Sequence, residues 1–227
     1  MRKLGDPPMP IVKNWVEELV WEWLLLRGYL ALPNIRLKSG KRGSVKEADI
    51  LGFRLLKQPK EQGIIEKLEI VHVETGSLAE NFEEKLKTIR GKFARERVET
   101  IKKMVVDTIE LESVVGKSTV GFSRVGASEI EYKPIYIAYE VAKGQVDKLK
   151  EELKKDGIEF LTLEEAIEKI LHDIDDWKKA QVEKGYRRTT EIRLPEGYWL
   201  LKLIDFMKSK GFIKTKKETQ SAQWKTA

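Results

Sequence analysis

The chain has 227 residues, with 43 Lys+Arg against 37 Asp+Glu, a net charge of +6, and no cysteine. An apolar share of 41% beside 35% charged residues is enough for a packed core and excludes a disordered chain. The missing thiols exclude disulfide scaffolds, thiolate zinc sites, iron–sulfur clusters and cysteine nucleophiles.

Residues 1–10 are polar and proline-rich, without the hydrophobic region of a signal peptide. From Pro10 a helical pattern begins, with Val12, Trp15, Val16, Leu19, Val20, Trp23 and Leu26 at spacings of three and four, until Gly28 stops it. The longest apolar run, Leu19 to Leu32, is broken by Glu22 and Arg27 and is too short to span a bilayer. An intracellular protein with no membrane partner is therefore expected, and the interspersed Lys, Glu and Arg suit a thermophile.

Residues 29–32 read as a short strand, followed by a basic loop from Arg36 to Gly43. Strands follow at 47–53 and 68–75, joined by a Pro- and Gly-containing turn over 57–63. A charged helical stretch with Phe82, Leu86, Ile89 and Phe93 in a stripe runs from Ser77 to about Asp107. The β-branched stretch Val114–Val125 reads as a strand or hairpin, and residues 134–139 as a buried strand. Residues 145–155 form an amphipathic helix closed by Gly157, and 158–161 return as a strand. Thr162 and Glu165 make a capping box for a helix carrying Ile167, Ile170, Leu171, Ile174 and Trp177. A last helix follows Pro195, with Trp199, Leu203 and Phe206 read as packing residues. The order predicts an α/β fold, with a domain over 1–171 and a helical extension with a basic tail over 172–227.

The positive charge is concentrated. From Lys208 onward the chain carries +5, so residues 1–207 carry only +1. A solvated terminus explains such a tail at least as well as a phosphate-binding arm. The local cluster Arg36, Lys38, Lys41, Arg42 and Lys46 is the more specific nucleic-acid candidate, because it directly precedes the strand bearing Asp49. An exposed hairpin loop would carry the same residues.

Asp49 interrupts an apolar strand beside Ile50 and Leu51. His72 and Glu74, two apart, leave the same face of the next strand. If the two strands pair, the three side chains converge in a way that suits a divalent metal. Glu18 and Glu22 on the first helix border its apolar stripe. A strand with one solvated face would carry Asp, His and Glu as well. His172, among Asp173, Asp175 and Asp176, reads as a surface cluster. Trp21, facing away from the helix stripe, is a candidate homodimer contact.

The run Glu18 to Tyr29 with Gly28, then Asn34, then Glu47-Ala48-Asp49-Ile50-Leu51, then Val71-His72-Val73-Glu74-Thr75, resembles the PD-(D/E)XK nuclease superfamily. That superfamily has the restriction endonuclease-like fold and includes the archaeal Holliday junction resolvases. The resemblance is good over residues 11–105 and looser to about 171. It implies a mixed sheet flanked by helices and metal-assisted hydrolysis of DNA phosphodiesters with Mg²⁺ or Mn²⁺. Glu18 matches the helix glutamate, and Asp49 matches the metal-binding aspartate. His72 stands where the family has a glutamate ligand, and Glu74 where it has a lysine. Asp49, His72 and Glu18 are then the expected ligands, with His72 favouring a softer ion such as Mn²⁺. Glu74 would orient or deprotonate the attacking water, which requires a pKa raised toward neutrality. The amides from Thr75 to Ser77 offer a phosphate contact. The alternative is a catalytically silent domain of the same fold that binds DNA or a protein partner. An oligomeric scaffold without a nucleic-acid role is a third reading.

Overall fold

The computed structural model describes residues 14–37, 46–60, 63–78, 81–115, 129–185 and 192–213. The fold is α/β: a five-stranded mixed sheet flanked by helices, with a C-terminal helix. Helix α1 (Trp15–Leu26) leads into strands β1 (Leu30–Leu37), β2 (Lys46–Lys60) and β3 (Gly63–Leu78), an antiparallel meander. Helices α2 (Phe82–Lys92) and α3 (Arg95–Val115) cross over to β4 (Glu129–Val141), which pairs parallel to β3. Helix α4 (Val146–Lys155) then leads to β5 (Glu159–Thr162), parallel to β4. Helices α5 (Leu163–Glu183) and α6 (Trp199–Ser209) complete the order.

Local chemistry sets the helix ends. The Asn14 side chain accepts hydrogen bonds from the amides of Val16 and Glu17 and starts α1. Gly28, at φ +77°, takes the left-handed conformation that ends it. The Thr162–Glu165 capping box forms at the start of α5.

Strand alternation then divides the core. One sheet face, with Val71, Val73 and Ile137, packs on α1, α5 and α6 through Val20, Leu24, Ile170 and Leu201. On the opposite face, Tyr136 and Phe160 meet α2 and α4, while Leu51, Phe53 and Ile70 meet Ile101 and Val105 of α3. The polar groups described below share that second face. No helix among the described residues is long and apolar enough to cross a membrane.

Several expectations change. The charged helix expected from Ser77 begins later, because pairing with β4 carries β3 through to Leu78. It is also divided at Phe93–Ala94 into α2 and α3. Val114 and Val115 close α3 as helix, and residues 116–125 of the strand or hairpin expected there lie outside the described residues. The boundary expected at residue 171 falls inside α5, and Leu200, Leu201 and Ile204 of α6 share one apolar cluster with α1. Packing thus joins the extension to the sheet. The residues of α6 read as packing, Trp199, Leu203 and Phe206, are instead the exposed ones. Trp21 is partly buried against the core, and its indole nitrogen donates to the Ala31 carbonyl at 3.0 Å, so it serves contacts within the chain.

Candidate functional site

The antiparallel ladder between β2 and β3 pairs Leu51 with His72 and Ile50 with Val73. One step further along the same ladder brings Asp49 beside Glu74. The expected equivalence therefore shifts: the carboxylate opposite Asp49 is Glu74, and His72 lies against Leu51. Glu74 is completely buried, and Asp49 is nearly so. The Thr75 amide donates to Asp49 Oδ2 at 2.9 Å, which fixes the aspartate against the neighbouring strand. Asn34, the one described non-glycine residue at positive φ (53°), falls between the Pro33–Ile50 and Ile35–Ala48 pairs, opposite Asp49.

Three donors converge on Glu74. The break between α2 and α3 directs one cation from each helix inward: Lys92 from the last turn of α2 and Arg97 from the first turn of α3. Lys92 Nζ lies 2.7 Å from Glu74 Oε2, and an Arg97 guanidinium nitrogen lies 2.7 Å from Oε1. The same Arg97 nitrogen also donates to the Glu47 carbonyl, tying α3 to the start of β2. His72 Nε2 lies 2.8 Å from Glu74 Oε1, while Nδ1 lies 2.5 Å from the Tyr132 hydroxyl on β4. The Phe93 ring meets the imidazole edge-on, with centroids 4.9 Å apart.

These surroundings push the two carboxyl groups in opposite directions. For Glu74, burial alone would raise the pKa. The hydrogen bond from His72 and the charge and hydrogen bond of Lys92 outweigh it and hold the carboxyl below its ordinary value. Asp49 is pushed up to about 6, first by burial and then by the charge of Glu74, against the opposing pull of the Thr75 amide and Lys92. Burial lowers the pKa of His72 against the hydrogen bond and charge of Glu74, the cations Arg97 and Lys92 lower it further, and the net direction favours the neutral imidazole. Tyr132 is raised by burial and by the charge of Glu74, and remains a phenol.

The expected site residues can now be placed. Asp49 and Glu74 come together. Glu18 does not join them: its Oε1 lies 3.3 Å from the Trp199 indole nitrogen on α6. The α1 acid on the sheet side is Glu17, which is 3% exposed and near enough for its charge to help raise the pKa of Asp49. Its carboxylate accepts from the Asn14 side-chain amide at 2.8 Å. Glu22, the other acid beside the helix stripe, is fully buried and accepts from the Leu200 and Leu201 amides at 3.2 and 2.9 Å. It caps α6 and has no part in the cluster.

His72 is not available as a ligand, because both ring nitrogens are engaged and the side chain is completely buried. Nor does Glu74 suit the role of general base, since its neighbours depress its pKa. The Thr75 amide is used by Asp49, and a side chain at Gly76 would meet the Tyr136 hydroxyl at 2.4 Å. The phosphate cradle expected there is replaced by a continuing strand.

Of the expected DNA-contact residues, Arg36 projects from β1 with a largely exposed side chain, 3.6 Å from Glu47. Lys38, Lys41 and Arg42 lie outside the described residues, and Lys46 is placed by its backbone alone, paired with Leu37. His172 stands exposed beside Asp173 and Asp176, in the surface cluster the sequence suggests.

Sequence reasoning missed Glu17 and Tyr132 and left Lys92 and Arg97 on the solvated face of the expected charged helix. Glu17 carried a legible signal: it lies one turn before Val20 and two before Leu24, both on the buried helix face. Lys92 and Arg97 carried none, because only the break between α2 and α3 turns them inward.

Among the described residues, no group of three His, Cys, Asp or Glu side chains is arranged around one ion position. Of the buried acids, Asp49, Glu74 and Glu17 are the ones whose charges act together, and carboxylate oxygens suit Mg²⁺ or Mn²⁺. Burial first, then the charge of Glu74 and to a smaller extent that of Glu17, raise the pKa of Asp49 within this group. Comparison of the chain with protein-family models, with curated proteins and with solved structures gives no match.

Proposed function

We propose that the chain is a divalent-metal-dependent nuclease of the restriction endonuclease-like kind that hydrolyses DNA phosphodiester bonds. The observation that carries this reading is the buried Asp49–Glu74 pair, side by side on adjacent strands, with the Lys92 ammonium 2.7 Å from Glu74. Two carboxylates and a lysine at adjoining strand positions are the chemical parts of the superfamily that the sequence resembles. Here the lysine comes from a helix. Further support comes from the sheet order, in which a β1-β2-β3 meander is followed by parallel β4 and β5.

Asp49 and Glu74 would hold Mg²⁺ or Mn²⁺, with Glu17 behind them. When bound, the cation supplies Lewis-acid polarisation of a phosphoryl oxygen and favours ionisation of a nearby water. Lys92 positions the attacking water or the phosphate, and its charge opposes the negative charge that builds on the phosphoryl group. Arg97 holds Glu74 in place and ties it to the strand that carries Asp49. Water adds to phosphorus and releases a proton to solvent, the bond from phosphorus to the leaving sugar oxygen breaks, and that oxygen takes a proton from solvent.

A cleavage assay on branched, single-stranded and duplex DNA with Mg²⁺ or Mn²⁺ tests the reading. Wild-type cleavage is expected, with none in Asp49→Ala and a loss of about 10²-fold in Lys92→Ala. Cleavage retained in Asp49→Ala, or absent from the wild type with either metal, overturns it. One observation favours a second reading. Glu74 is already satisfied by His72, Arg97 and Lys92, as it would be in a catalytically silent domain that only binds DNA or a partner. DNA retention without cleavage in either metal would select that reading.

A further inference from the structure

The two oxygens of Glu74 are not equivalent. Oε1 takes its donors from the interior, His72 and Arg97, both nearly or wholly shielded from solvent. Oε2 takes Lys92, whose side chain is 34% exposed and can exchange. The interior donors are themselves held: Tyr132 lies against His72 Nδ1, and Phe93 packs on the ring.

With a neutral imidazole, donor and acceptor rules leave one arrangement for this chain of groups. An ionised carboxylate only accepts, so His72 Nε2 carries the hydrogen. The neutral ring then presents a lone pair at Nδ1, and the Tyr132 hydroxyl donates to it. We propose that Tyr132 and His72 are positioning residues, a buried hydrogen-bonded chain that fixes Glu74 through Oε1 and leaves Oε2 as its working oxygen. This inference rests on the nuclease reading for its purpose, though not for its geometry.

The chain explains why an imidazole is buried on a face shared with charged groups. Without Tyr132, Nδ1 would lack a donor in the interior, and without His72, Glu74 Oε1 would keep only Arg97. Removing a group that orients a site carboxylate typically costs about 10–100-fold in activity or metal affinity.

Nitrogen NMR of the full chain provides the test, and it is tractable because the protein has only two histidines, His72 and His172. With ¹⁵N-labelled histidine, His72 is expected as the Nε2–H tautomer, with an Nδ1 resonance that moves in Tyr132→Phe. An Nδ1–H tautomer, or a resonance indifferent to Tyr132→Phe, overturns the proposal. Kinetics supply the second arm. His72→Gln keeps a donor for Glu74 and should stay within several-fold of wild type. His72→Leu should lower kcat about 10–100-fold with little change in KM for DNA. Equal activity of the two variants overturns the positioning role. If His72→Leu fails to fold, Tyr132→Phe, which removes one oxygen, replaces it, with the same fall in kcat expected and unchanged kcat counting against the role. Should the wild type cut no DNA, the nuclease reading falls, while the tautomer measurement still decides the hydrogen-bonded chain.

Discussion

Strand β3 buries two glutamates on opposite faces, and they make different use of the same chemistry. Glu69 faces α1 and takes Arg54 at 2.7 Å from β2 and Lys133 from β4. Glu74 faces α2 and α3 and takes Arg97 and Lys92 from those helices. Burial alone would raise both carboxyls, and in each case donated hydrogen bonds and nearby cations hold the pKa below its ordinary value. The difference lies beside them. Glu69 is one carboxylate between two strand-borne cations, and its Arg54 is packed over the Tyr29 ring at 4.3 Å. Glu74 has a second buried carboxylate, Asp49, at the next ladder position, and Asp49 is the group driven toward neutrality. A buried acid raised toward neutrality beside a second carboxylate is the kind of perturbed group that marks functional sites, whereas a lone carboxylate held by cations serves the fold.

The largest expected effect separates the two faces directly. Asp49→Asn should reduce cleavage to background yet raise Tm at pH 8 in the absence of divalent cations. The sign follows from its folded pKa of about 6, above its ordinary value. Ionised Asp49 opposes folding, so the native state loses stability as pH rises from about 4 through 6. Thermal melts across that range should show the dependence in the wild type and a flatter profile in Asp49→Asn. A fall in Tm at pH 8 would mean that Asp49 is compensated just as Glu69 is.

Glu69→Gln should do the reverse. Breaking a buried ion pair costs about 3–5 kcal/mol, measurable by denaturant titration, while cleavage by the folded fraction stays unchanged. Because the folded pKa of Glu69 lies below its ordinary value, its contribution is present above about pH 4.5 and is lost as pH falls toward 2. The stability deficit of the variant should shrink over the same interval. Loss of cleavage at full folding would place Glu69 in the site.

Glu22 is a third kind of buried carboxylate, satisfied by helix amides rather than by cations. Glu22→Ala leaves those amides without their acceptor and should cost about 2 kcal/mol, with amide exchange accelerating first in α6. Protection unchanged in α6 would show that its apolar face alone holds it. The smallest effect is expected at Glu18. Glu18→Gln should change stability by less than about 0.5 kcal/mol and leave cleavage intact, whereas Glu17→Gln should impair cleavage. The opposite result would restore Glu18 to the site.

Much of this was legible in the residues. Gly28 ends α1, and Thr162 with Glu165 starts α5, because capping is decided by groups within a few residues. Alternation along β3 put His72 and Glu74 on one face and Val71 and Val73 on the other. The first helix was harder to read. It is apolar on several sides, and a stripe anchored on Trp15 points to Glu18, while Trp15 is exposed and Glu17 lies inward.

The sequence by itself determined an α/β chain with Asp49 and Glu74 in neighbouring strands, since period-two patterning and capping act over a few residues. Tertiary structure decided the rest. The β2–β3 register set Glu74, and not His72, beside Asp49, and a ladder shifted by one residue would have turned one of them to the other face. The α2–α3 break brought in Lys92 and Arg97, and parallel pairing with β4 placed Tyr132 against His72. Those contacts span 18 to 60 residues of chain, and no local pattern encodes them.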